Sequence, residues 1–151
     1  MTTERILGVV WLHARRLIEA ALEASVFAIA AGASVAMLRT KGLEIPLQGE
    51  TLDPARFFAG PAAFLGARLV VAEARRLEFS RSPRLALPAL AGAVFPLFCL
   101  AVARGFELAS AYIPIPVGAL DAAFWGAWTL IPIVAATAIA LFEPRVSRRP
   151  G

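Results

Sequence analysis

Four apolar runs of membrane-spanning length, joined by short polar connections, leave this chain few ways to fold. Residues 20–38, 54–72, 85–103 and 122–142 are each dominated by Ala, Val, Leu, Ile, Phe and Gly. At helical rise a run of about 19 residues reaches about 28 Å, the depth of a bilayer's hydrocarbon core. No water is available there to pair with backbone polar groups, so runs of this kind are expected to be helices. Composition points the same way: 59% of the 151 residues are apolar and only 17% are charged. A soluble domain of this size covers itself with charge, whereas this one has apolar surface left over for lipid. The expected fold is all-α, a single integral membrane domain over residues 1–151 with four helices. Residues 1–19 mix Ile6, Val9, Val10, Leu12 and Leu17 with Arg5, His13, Arg15 and Arg16. They are expected to form an amphipathic interfacial helix with Trp11 at headgroup level.

Charge then orients the spans. Residues 68–84 carry five arginines, Arg68, Arg75, Arg76, Arg81 and Arg84, between two apolar runs. Arg5, Arg15, Arg16, Arg145, Arg148 and Arg149 belong to the same side, against Arg39, Lys41, Arg56 and Arg104 on the other. Positively charged connections stay in the cytoplasm. The asymmetry places both termini and the central connection there, in the cytoplasmic (inner) membrane of a bacterium. The arginines gather at the ends of apolar runs rather than along one polar face, which speaks against nucleic acid. Asp53-Pro54 is read as the cap of the second span, Asp121 as the cap of the fourth, and Trp125 with Trp128 as an aromatic belt. Pro61 is expected to kink the second span.

Little in the chain points to chemistry. Cys99 is the single cysteine and His13 the single histidine, so neither an internal disulfide nor a bis-histidine haem can form within one chain. No metal-ligand cluster, phosphate loop or nucleophile elbow occurs. The expectation is a non-enzyme without a cofactor. Glu23 and Arg68 are the exceptions in apolar surroundings, each about one turn in from the cytoplasmic ends of the first and second spans. They can form an intramembrane ion pair if the two spans are antiparallel neighbours, or each can snorkel to the headgroups. Arg104 and Glu107 read as a pair capping the outer end of the third span. Ala28, Gly32 and Ala36 make a small-residue stripe that suits close helix contact. Its contact is either a partner subunit or, internally, the second span at Gly60 and Ala63. Glu44, Glu50 and Asp53 beside Arg39 and Arg56 would offer a soluble partner a mixed-charge platform.

The layout is also similar to that of a known family. Arg39, Pro46-Leu47, Glu50, Arg56, Phe64-Leu65-Gly66-Ala67 and Pro116-Val117-Gly118 occur in an arrangement that resembles the small membrane subunit of tripartite ATP-independent periplasmic (TRAP) transporters. Thr40 stands where that family usually has an aromatic residue. The resemblance implies an accessory subunit that does not carry substrate, braces a larger integral-membrane transport subunit and helps dock a periplasmic binding protein. Two other classes fit the sequence. One is a homo-oligomeric channel or exporter lined by Ser25 and Ser34; the other is a membrane anchor of a redox complex, with a quinone near His13.

Overall fold

A computed structural model describes residues 3–43, 54–75 and 85–142. They form four helices: α1 (Thr3–Thr40), α2 (Pro54–Arg75), α3 (Ala86–Ser110) and α4 (Val117–Phe142). Glu50, Asp53, Arg76, Arg81 and Arg84, with the connections that hold them, lie outside the described residues. So do Glu44 and the arginines after α4.

The helices begin and end where the chain supplies or withholds breakers. α1 runs unbroken for 38 residues, so the amphipathic segment and the first span are one helix, about 57 Å long at standard rise. No proline interrupts it, and it stops at Gly42, whose φ of 74° suits a residue without Cβ. The Leu43 amide bonds the Leu38 carbonyl at 3.1 Å and the Gly42 amide bonds Arg39 at 3.0 Å, closing a Schellman motif. α2 opens on Pro54, whose missing N–H costs nothing at a first helical position. α3 is longer than the apolar run suggests and continues through Arg104 and Glu107 to Ser110. Those two side chains pair at 2.6 Å one turn apart, and the first prolines come later, at Pro114 and Pro116. α4 starts at Val117, so Asp121 lies inside the helix rather than at its cap.

Side-chain contacts fix the arrangement. Arg16 meets Glu73, Glu23 meets Arg68, Phe27 stacks on Phe64, and Gly32 faces Phe57, so α1 and α2 are antiparallel. Arg56 and Gly60 of α2 meet Trp125 and Trp128 of α4, which makes those two helices parallel. The four helices form a ring in which α1 touches α2 and α3, and α4 touches α2 and α3. α2 and α3, consecutive in the chain, occupy one diagonal. The tightest approach is between α1 and α3, where a Cβ on Gly92 would run into the Phe27 carbonyl.

The core is aromatic. Phe27, Phe57, Phe64, Phe95, Phe124 and Trp128 fill it with Cys99, while Ile29, Phe58, Val70, Leu90, Phe98, Leu130 and Val134 point outward. In water that exterior would be unsustainable; in lipid it is the ordinary solvent-facing surface. Three helices, α1, α3 and α4, are long and apolar enough to cross a bilayer. α2 is about 33 Å long at helical rise but carries Arg56, Arg68, Glu73 and Arg75, which lower its apolarity. The chain is therefore a four-helix protein with transmembrane-length apolar helices.

Candidate functional site

The polar residues most deeply placed are Glu23 and Arg68, 4% and 0% exposed. Arg68 Nε donates to Glu23 Oε2 at 2.6 Å and its Nη2 donates to Glu23 Oε1 at 3.1 Å, a two-bond fork. The antiparallel register of α1 and α2 sets this up. One turn along each helix, Phe27 and Phe64 stack with ring centroids 4.6 Å apart. A guanidinium fork matched to a carboxylate is the ion pair best suited to low dielectric, because both hydrogen bonds are satisfied at once. About two turns further, Arg16 Nη1 bonds Glu73 Oε2 at 2.8 Å, and Arg15 bonds Glu19 within α1 at 3.0 Å. Arg16 Nε and Glu19 Oε2 are buried without hydrogen-bond partners among the described residues. This outer cluster is the less completely satisfied clamp of the two.

A second polar contact lies at the bundle centre. Pro61 has no N–H, so the carbonyl one turn before it, on Phe57, loses its helical donor. The indole N–H of Trp128 donates to that carbonyl at 3.2 Å. Gly60 makes room, since a Cβ there would come within 3.1 Å of the indole nitrogen and 3.2 Å of Phe95. Trp128 is thus the fully buried centre of the core and not part of an interfacial belt. Trp125 is half-buried with Arg56 5.2 Å above its ring, a cation–π contact joining the N-terminal ends of α2 and α4.

The small-residue stripe divides. Ala28 lines an open groove of about 300 Å³ between α1 and α2, together with Ala21, Ser25, Phe58, Pro61 and Leu65. A Cβ on Gly32 would sit 3.6 Å from Phe57, and Ala36 is exposed. Gly60 does not face this stripe. It packs on α3 and α4, because Trp128 and Phe95 occupy its side of α2. His13 is exposed on the projecting end of α1, and Arg75 closes α2. Among the described residues no three His, Cys, Asp or Glu side chains converge as metal ligands would.

This arrangement holds helices together. Sequence reasoning missed the indole-to-carbonyl bond, although Pro61 announces an orphaned carbonyl and Trp128 is one of few donors able to reach it inside a span. It also missed Gly92 as the point of closest helix approach. Comparison with protein-family models, curated proteins and solved structures finds no match to this chain.

Proposed function

We propose that this chain is a non-catalytic small subunit that braces a larger transport subunit in a bacterial cytoplasmic membrane. The observation that carries the reading is an uncovered apolar face on α1. Residues 3–13 are exposed throughout, with Leu7 62%, Val10 59% and Trp11 71% accessible. Leu7, Val10, Ala14, Leu17, Ala21 and Ala28 follow one another at three- or four-residue steps, or multiples of them, so they share a helix face. That face runs on into the α1–α2 groove. A seam of small and apolar residues about 30 Å long at helical rise suits an apolar helix of another subunit. The Glu23–Arg68 and Arg16–Glu73 pairs tie α1 to α2 beside its exposed first turns. The more specific reading, a small TRAP subunit, rests on the sequence resemblance alone.

A photo-crosslinking residue at Ala28 or Val10, in cells of the native host, tests the proposal. The expected adduct is with one larger integral-membrane protein that mass spectrometry identifies as a transport subunit. An adduct of twice the chain's own mass would replace the proposal with the homo-oligomer reading. Adducts with lipid alone would remove it.

A further inference from the structure

α1, α3 and α4 are apolar enough to cross a bilayer on their own composition. α2 is long enough, at 22 residues, but does not share that apolarity. It carries Arg56, Arg68, Glu73 and Arg75, and the Arg68 side chain is fully buried. A cation at such a place is costly in hydrocarbon, and a helix by itself can ease the cost only by bending the side chain toward the headgroups. In the bundle Arg68 does not take that route. Its Nε and Nη2 both turn to the Glu23 carboxylate of α1.

A second polar group of α2 is met in the same way. The Phe57 carbonyl, deprived of its helical donor by Pro61, accepts the indole N–H of Trp128 in α4. An unpaired backbone group weighs against any helix that carries it into a bilayer. α2 thus meets its polar requirements through its neighbours, with Glu23 before it in the chain and Trp128 after it. The Glu23–Arg68 dependence is unequal. Glu23 is buried too, but α1 is apolar enough to cross while carrying it.

We propose that α2 is a conditional span, held across the bilayer by Glu23 of α1 and lost from it when Arg68 is left without that partner. Breaking the pair from one side strands a charge on α2, and from the other side strands it on α1. Only α2 lacks the apolarity to keep a stranded charge. The proposal holds whether or not the chain braces a larger subunit, and whichever way up the bundle lies.

Thiol labelling of the full chain in intact cells tests this, with Cys99→Ala as background and either Lys41→Cys or Ser80→Cys as the single thiol. Lys41 precedes α2 in the chain and Ser80 follows it. When α2 spans, a membrane-impermeant maleimide reaches one of these positions and not the other; when it does not, the reagent reaches both or neither. One-sided labelling is expected in the background and in Arg68→Met, which leaves its stranded charge on α1. Glu23→Ala should lose it, and Glu23→Ala/Arg68→Met should regain it, although the double variant restores no contact. Gly92→Ala sets a Cβ against the Phe27 backbone without touching either charge, and should stay one-sided. Labelling chains during a short pulse of synthesis reads every variant before it can be degraded. One-sided labelling in Glu23→Ala would overturn the proposal. So would its absence from the background or the double variant, or its loss in Arg68→Met or Gly92→Ala.

Discussion

Arg68 is a cation with no exposed surface in a segment that otherwise packs Phe, Leu and Ala, so its stability depends on Glu23. Removing one member of a buried pair strands the other, which in proteins costs about 3 kcal/mol or more. Arg68→Ala should therefore destabilise the protein more than the Arg68→Ala/Glu23→Ala double substitution, in which neither charge remains. The coupling expected within a membrane is on the order of 1 kcal/mol, since intramembrane polar pairs prove modest when measured. Unfolding in mixed micelles of the four proteins in the cycle reads it directly, and additive effects would show that the fork contributes no net coupling. The sequence allowed the pair, beside independent snorkelling, because two antiparallel spans bring residues at equal depth together, and the fork between Arg68 and Glu23 is what the packing adds. The place of Trp128 was not legible in it. Its position near the start of an apolar run looks interfacial until the orphaned Phe57 carbonyl on another helix is known. A contact fixed by tertiary packing leaves no local signature, and only the proline half of it can be read from the chain.

At the scale of the helix, glycines that look alike in sequence carry very different loads. Gly92 lies where α3 crosses α1, and an added Cβ would strike the Phe27 backbone, which cannot turn aside as a side chain can. Gly92→Ala should cost about 3 kcal/mol, the upper range for overpacking, and lower the thermal midpoint in detergent. Gly32→Ala adds a Cβ 3.6 Å from Phe57, an ordinary contact. It should be neutral or stabilise by up to about 1 kcal/mol through helix propensity. If the two alanine variants unfold alike, the close α1–α3 crossing is wrong. The stripe of Ala28, Gly32 and Ala36 drew attention because its spacing is regular, but regular spacing says only that residues share a face. Which face is pressed hardest depends on the neighbour, and α1's close neighbour is α3, across a connection that sequence adjacency does not suggest. Helix ends were misplaced for a related reason. The polar stretch after the third apolar run resembles a loop, yet Arg104 and Glu107 stabilise one another at helical spacing and nothing stops the helix before Ser110.

For the whole molecule, the ring of helices gathers charge into two ends. Antiparallel α1 and α2, parallel α2 and α4, and antiparallel α3 and α4 put the start of α1, the end of α2, the start of α3 and the end of α4 together. Arg5, Arg15, Arg16 and Arg75 belong to that end, and the sequence attaches Arg76, Arg81, Arg84, Arg145, Arg148 and Arg149 to it. Arg39, Lys41, Arg56 and Arg104 belong to the other. An imbalance of this size in short connections orients a multi-pass protein with its basic end in the cytoplasm. The helical bundle alone could insert either way up, since apolar side chains dominate its exposed surface between the two ends. The arginines supply the bias. A reporter active only in the cytoplasm, fused after Gly151 or inserted within residues 78–82, should be active, and the same reporter near Gly49 should be silent. Replacing Arg75, Arg76, Arg81 and Arg84 together with glutamine leaves Arg68 and its partner intact while removing much of the asymmetry. That variant should insert with mixed orientation and show reporter activity at all three positions. Uniform cytoplasmic activity near Gly49 in the unaltered protein would reverse the orientation, and with it the side of the membrane on which the exposed start of α1 lies.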